Sequence, residues 1–188
     1  MGRINDIKRH QRSMPFWDFT GKRLVMSGTH LSSDKVGTGD DDIFVSAISK
    51  KITINSADYH RCIAFLPGRD ILPVFTSDDK WVAFAHEEKQ DEEKQDDEKG
   101  WAIYRAKPGN GFQDPKYFKP EKLVEGLPEP ERLWPFPDGK QITFSTLRWS
   151  GDPKDDGAIL IYTCDLDGAQ RMGEIAAPTQ QGHRHKIW

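Results

Sequence analysis

The stretch "WPFPDGKQITFST" (residues 134–146) decides the fold, because it joins an aromatic lead-in, a tight turn and an alternating strand. Its Asp-Gly pair supplies the positive φ that a two-residue hairpin turn needs. After Lys140, the apolar residues Ile142 and Phe144 alternate with polar ones. This period of two, with β-branched and aromatic side chains, predicts a β-hairpin.

Two earlier stretches repeat this pattern: "FWDFTGKRLVMSG" (residues 16–28) and "VFTSDDKWVAFAH" (residues 74–86). The lysines that follow the three turns are Lys22, Lys80 and Lys140, so the copies are spaced by 58 and 60 residues. Asp79 stands where the other two copies have glycine. Self-similarity at a fixed period is the signature of a repeat architecture.

A second strand motif with an Ile-aromatic pair follows each turn, again at steps of 60 and 58 residues. Its copies are "DDDIFVSAISKK" (40–51), "GWAIYRAKPGNG" (100–111) and "GAILIYTCDLDG" (157–168). Each ends in turn residues, and a short apolar strand follows, for example around Ile52, Val124 and Met172. One copy therefore predicts a four-stranded antiparallel meander.

Such a sheet cannot bury both of its faces alone, so repeated sheets predict the stacked blades of a β-propeller. The predicted fold is all-β, a single partial propeller domain over residues 1–188. Its blades span approximately 14–54, 71–125 and 132–176, and residues 180–188 start a further blade strand. The aromatic set Trp17, Phe75 and Trp134 is interpreted as packing between blades. The stretch through Pro67 and Gly68 fits the repeat less well and predicts an extra hairpin with residues 62–66 as one arm.

The repeat "aromatic-x-x-D-G-K-x-apolar-x-Phe … D-I-Tyr-x-x-D-x-D-G" resembles the TolB-type propeller repeat over most of the chain. The third copy, "PFPDGKQITFS" with "ILIYTCDLDG", matches it best. The resemblance implies the blade fold and leaves several functions open. TolB-like repeats occur in periplasmic scaffolds, in the propellers of prolyl-oligopeptidase-type peptidases and in oligogalacturonate lyase-like proteins.

The stretch "QQGHRHKIW" (residues 180–188) contains a Q-x-x-H-x-H pattern formed by Gln180, His183 and His185. Residues two apart share one side of a strand, so two imidazoles and an amide oxygen could hold one divalent cation, Mn or Zn. The pattern resembles the ligand run of oligogalacturonate lyase-like propellers, which implies metal-dependent β-elimination on a pectic substrate. The further histidine that this resemblance implies is missing from the third blade's lead-in, "PEPERLW", and no catalytic residue is assigned. The alternative is that these residues line the propeller mouth or cap a strand.

Composition excludes several classes of function. The net charge is −3 and no Lys/Arg cluster stands out, so no nucleic-acid partner is expected. No stretch reaches the length of a membrane span, and the charged N-terminal residues are not a signal peptide, so we expect a cytoplasmic protein. If the chain is part of a longer one, a periplasmic or secreted location is expected instead.

Cys62 and Cys164 lie in apolar surroundings and are interpreted as two buried thiols.

Three blades do not close a ring, because propellers have about four to eight. Either the chain belongs to a longer propeller, or two copies form a homodimer that completes a six-bladed ring. A third solution would be that residues 58–75 form a degenerate extra blade, but the spacing of the repeats argues against it.

The preferred function is a non-catalytic binding or scaffold module for protein or carbohydrate ligands. The alternatives are a metal-dependent polysaccharide lyase propeller and the accessory propeller of a prolyl-oligopeptidase-type peptidase.

Overall fold

The computed structural model of this chain describes residues 15–29, 41–47, 60–64, 66–88, 100–109, 119–148, 158–167 and 172–175. These residues form twelve β-strands, connected by turns and extended segments. Over the same ranges there is no helix long and apolar enough to cross a membrane.

The strands form three four-stranded antiparallel sheets, and within each sheet the strands follow one another in sequence order. The first sheet contains β1 (Phe16–Trp17), β2 (Arg23–Thr29), β3 (Asp41–Ala47) and β4 (His60–Ala64). The second sheet contains β5 (Asp70–Phe75), β6 (Val82–Glu87), β7 (Trp101–Ala106) and β8 (Glu121–Leu127). The third sheet contains β9 (Pro130–Pro135), β10 (Gln141–Arg148), β11 (Ala158–Asp165) and β12 (Met172–Ile175). The predicted all-β architecture of three four-stranded meanders is confirmed.

The first sheet ends later than the sequence pattern indicates. Its fourth strand, β4, lies beyond residue 54, where the first blade was predicted to end, and Ile52 lies outside the described residues. The predicted hairpin through Pro67 and Gly68 is wrong, because β4 and β5 belong to different sheets. Apolar residues on both sides of a Pro-Gly pair suggested two paired arms, but this segment connects one blade to the next.

The turn after the first strand has the same backbone conformation in all three sheets. The amide of Asp18 donates to the carbonyl of Arg23 (3.0 Å), and the corresponding bonds are Thr76 to Trp81 (2.9 Å) and Phe136 to Gln141 (2.9 Å). Each connection is therefore four residues long (19–22, 77–80 and 137–140) instead of the predicted two. The left-handed position is occupied by Gly21 (φ 69°), Asp79 (φ 57°) and Gly139 (φ 68°). Aspartate is among the non-glycine residues that adopt this conformation most readily, so the second turn forms without glycine.

Two apolar cores lie between the blades. The core between the first and second sheets brings Val25 and Ile43 against Phe75 and Phe84, all four fully buried. The core between the second and third sheets brings Ile71, Ala85 and Ile103 against Ile142 and Phe144. Both faces of the second sheet are therefore buried, which is why every residue of β5 is buried.

The two cysteines are free thiols, as the sequence predicts. Cys164 is buried in the core between the second and third sheets, and Cys62 is partly buried. Burial raises the pKa of each thiol to about 12, and nearby carboxylates, Asp42 for Cys62 and Asp165 for Cys164, act in the same direction. Both thiols therefore stay protonated near neutral pH and have little nucleophilic character.

Gly68, in the connection from β4 to β5, allows a close approach that no other residue tolerates. Its φ is 139°, and a Cβ there would lie 2.2 Å from the carbonyl oxygen of Glu87. We expect Gly68→Ala to lower the free energy of unfolding by about 3 kcal/mol or more, because both the backbone conformation and the packing are lost. Urea unfolding followed by far-UV circular dichroism measures this change.

Two other glycines are matched controls for this prediction. Gly21→Ala meets nothing within 4 Å but keeps a positive φ, so it should cost only about 1 kcal/mol. Gly100→Ala meets nothing and needs no positive φ, so it should be close to neutral. Equal stability of the Gly68 and Gly100 variants would contradict the close approach.

Candidate functional site

The three turns after the first strands lie side by side at one end of the sheets. We call residues 18–23, 76–81 and 136–141 the turn face. The backbone amide of Phe19 donates to Oδ1 of Asp79 (2.9 Å), and Arg23 Nη2 donates to the carbonyl of the same aspartate (3.1 Å). On the other side, the Ser77 hydroxyl donates to the carbonyl of Phe136. The second turn therefore fixes the first and the third.

Asp18 holds the first turn together from inside. Its carboxylate accepts hydrogen bonds from the amide of Lys22 (2.8 Å), the hydroxyl of Thr20 (3.0 Å) and Nε of Arg23 (2.8 Å). Burial favours the protonated form of this carboxyl, but these hydrogen bonds together outweigh it and hold the pKa of Asp18 below its usual value. The carboxylate is ionised at neutral pH and balances the Arg23 guanidinium. Arg23 in turn lies over the Phe75 ring at 4.9 Å.

Two phenylalanines on the turn face have exposed side chains although their backbones are held in place. The exposed fraction is 58% for Phe19 and 39% for Phe136. Their main-chain partners, Asp79 and Ser77, both belong to the second turn. An aromatic ring on an ordered backbone loses little conformational entropy on binding, which suits it to recognition.

Two tryptophans on the first strands of the outer sheets are also exposed, Trp17 by 53% and Trp134 by 41%. Trp17 pairs with Leu24 as Phe75 pairs with Val82, so these two residues occupy the same position in their sheets. The interpretation of Phe75 as a residue that packs between blades is confirmed, since it is fully buried. Trp17 and Trp134 are partly exposed on the outer faces of the described sheets, so for them the interpretation stays a prediction.

Trp134 does not occupy the position of Trp17 and Phe75 in its sheet, but lies one residue before it. It pairs with Thr143, whereas Pro135 pairs with Ile142. Trp134 therefore corresponds to Val74, which pairs with Ala83 in the second sheet. Because successive strand residues point to opposite faces, Trp134 and Trp17 lie on opposite faces of their blades. Val74 is buried against the third sheet.

At the opposite end of the second sheet, a histidine and an aspartate form a buried pair. His86 Nδ1 lies 2.8 Å from Oδ1 of Asp70, and both side chains are almost fully enclosed. The ring of Tyr104 meets His86 edge-on at 5.3 Å. Burial raises the pKa of Tyr104, so its phenol stays neutral. These contacts connect the start of β5, where Asp70 lies, to the end of β6, where His86 lies.

The predicted metal ligands Gln180, His183 and His185 lie outside the described residues. Within the part of the chain that the structure describes, no group of three or more His, Cys, Asp or Glu residues could hold a metal ion. Asp41 and Asp42 lie in β3, where Asp42 is buried and both have interaction partners. The sequence pattern did not single out Phe19 and Phe136, although they precede the turn glycines by two and three residues in "DFTGK" and "PFPDGK".

The fold is similar to that of solved TolB structures. A protein described as TolB from Agrobacterium tumefaciens superposes with a TM-score of 0.53 and 18% sequence identity, over 89% of this chain and 50% of that one. TolB from Acinetobacter baumannii gives a TM-score of 0.53 and 17% identity, over 88% of this chain and 32% of that one. No protein-family model and no curated protein matches the chain.

These likenesses confirm the predicted TolB-like β-propeller fold. The identities are low, so the likeness concerns the fold and not the activity. The chain spans half the length of the Agrobacterium protein and about a third of the Acinetobacter protein. The three sheets described above are therefore blades of a TolB-like propeller.

Proposed function

We propose that this chain is a non-catalytic propeller module that binds a protein or carbohydrate ligand at its turn face. The observation that carries the proposal is the pair of exposed phenylalanines, Phe19 and Phe136, whose backbones are held by the second turn. Large aromatic side chains on a rigid support are the residues that most often dominate binding energy at interfaces. Aromatic faces also stack on the apolar faces of sugar rings, so both ligand classes fit the same surface.

Replacing either phenylalanine should weaken ligand binding while the fold is retained. Arrays of oligosaccharides and of short peptides identify a ligand for the unmodified chain, and titration calorimetry measures its affinity. We expect Phe19→Ala and Phe136→Ala each to weaken binding about thirtyfold or more, which is the range of an interface hot spot. Glu131→Ala, an exposed change in β9 outside the turn face, is the control. Unchanged affinity in both phenylalanine variants would exclude this surface.

We also propose that the exposed tryptophans mark the faces where further blades pack. Phe75 and Val74 hold the equivalent positions in the second sheet, where the neighbouring blades bury them. A second copy of the chain would place its first blade on the Trp134 face and its third blade on the Trp17 face. This heterologous contact closes into a six-bladed ring by two-fold symmetry.

The mass of the purified chain in solution tests ring closure by two copies. Light scattering should give about twice the chain mass of 21.5 kDa. Because the ring contains two identical junctions, Trp17→Glu should shift the mass to that of one chain. Phe19→Ser, an exposed change outside the proposed junction, should leave the dimer intact. A monomer with a cooperative melt at all concentrations would overturn the dimer.

The metal-dependent lyase alternative rests on Gln180, His183 and His185 and stays a prediction. If these residues form a site, the purified chain should contain about one Mn or Zn per site. Mass spectrometry of the metal content should show its loss in His183→Ala and His185→Ala, because a site of so few ligands cannot spare one. Gln181→Ala, next to the predicted ligand Gln180, should keep the metal. A metal-free chain would exclude the lyase hypothesis.

The compartment is also a proposal. The similar solved structures lend no support to the cytoplasmic prediction, and we propose the periplasmic or secreted alternative for the propeller. We propose no nucleic-acid or membrane partner, because neither a basic cluster nor a long apolar stretch is present in the sequence.

A further inference from the structure

The second blade departs from the repeat at three neighbouring positions. The residue after the turn lysine is Trp81, and the two cationic residues Arg105 and Lys107 lie on or just after β7. The strand pairing of the other sheets identifies the equivalent residues. They are Arg23, Val45 and Ala47 in the first blade, and Gln141, Thr163 and Asp165 in the third. The second blade alone therefore combines a large aromatic ring with two added cations.

These residues form one cluster at the turn end of the second sheet. The guanidinium carbon of Arg105 lies 4.1 Å from the centre of the Trp81 indole, and Nζ of Lys107 lies 5.3 Å from it. Arg105 also donates from Nε to Glu121 (2.9 Å) and from Nη1 to the carbonyl of Leu166 in the third blade. The indole is therefore packed against a guanidinium group that two acceptors, one in its own blade and one in the third, hold in place.

A pocket of about 460 Å³ opens beside this cluster. Its lining residues are Arg23, Asp79, Lys80, Trp81, Lys107, Pro108 and Gly109. Three of them are cationic and one is acidic, so the lining has an excess of positive charge. The one carboxylate, Asp79, already accepts the Phe19 amide.

The cations of the pocket differ in how firmly they are held. Arg23 is tied to Asp18, which balances its charge, and to the Asp79 carbonyl, so it gives the pocket a fixed wall. Lys80 pairs with Asp78 at 2.9 Å, but its side chain is 75% exposed. An exposed pair of this kind contributes little energy, so the ammonium group is free to turn towards a ligand. Lys107 is exposed and contacts the indole through its ammonium group.

We infer that this pocket binds a small ligand that carries a carboxylate or phosphate group. Lys80 and Lys107 neutralise the oxyanion, and charge-assisted hydrogen bonds of this kind are the strong ones. Trp81, which is partly exposed, offers an apolar surface to the rest of the ligand. The volume falls in the usual range of small-molecule sites, roughly 300–1,000 Å³, and exceeds the need of a single inorganic ion. Arg23, Asp79, Lys80 and Trp81 belong to the turn face, but neither Phe19 nor Phe136 lines the pocket.

Calorimetric titration of the whole chain with citrate, glucose 6-phosphate and glucose tests this inference at low ionic strength. We expect saturable binding of citrate, of glucose 6-phosphate or of both, and none of neutral glucose. The two anionic probes distinguish the source of the oxyanion, carboxylate or phosphate. The double variant Lys80→Gln/Lys107→Gln should weaken this binding about tenfold or more. Higher salt should weaken it as well, because the lysines are exposed.

Lys140→Gln is the matched control, because Lys140 occupies in the third turn the position of Lys80 in the second and does not line the pocket. Its affinity for the anionic probe should equal that of the unmodified chain. The inference is overturned if neither anion binds, if glucose binds equally well, or if the Lys140 variant loses as much affinity as the double variant. These outcomes are independent of the Phe19 and Phe136 results, so the two proposals fail separately.

Discussion

The structure depends on one constraint: a four-stranded sheet has two apolar faces and cannot cover either of them by itself. The second sheet meets this constraint in full, because the first sheet covers one face and the third sheet covers the other. The two outer sheets are covered on one face each within the described residues. Trp17 and Trp134 show the result, since residues at the same positions in the second sheet are buried. The exposed tryptophans are therefore explained by the repeat and not by chemistry specific to them.

The second constraint is that one residue in each turn adopts a left-handed backbone conformation. Glycine fills it in the first and third turns, and Asp79 fills it in the second. A glycine at this position would provide the backbone conformation but no side chain. The carboxylate of Asp79 uses the same place in the turn to accept the amide of Phe19 from the neighbouring blade. Aspartate in place of glycine therefore costs little conformational energy and adds a hydrogen bond between two blades.

The repeat predicted much of the fold because hydrophobic period and turn chemistry are local properties. The strands around Val82, Ile103 and Ile142 follow directly from alternation and spacing. The position of β4 did not follow, since an apolar run near Ile52 matched the pattern as well as the run at 60–64 did. Alternation also does not reveal which blade covers a face, so the exposure of Trp134 could not be foreseen.

The candidate sites were harder to predict than the fold, for a physical reason. A pattern of ligands such as Gln180, His183 and His185 is visible in sequence because its members are close along the chain. The pocket beside Trp81 joins Arg23, Lys80 and Lys107, which come from two blades and meet only after the blades pack. Comparison of the three repeats does reveal it, because Trp81 and Lys107 break the pattern that the other blades keep.

The hydrogen bond from the Phe19 amide to Asp79 has a consequence for motion. The amide lies in a surface turn whose side chain is in water, where rapid exchange of its proton with solvent is the usual behaviour. Its acceptor is the Asp79 side chain of another sheet, so the amide is protected only while the first two turns stay in contact. Phe19 therefore acts as a local reporter: the protection of a single loop amide reports how often the contact between these two turns opens.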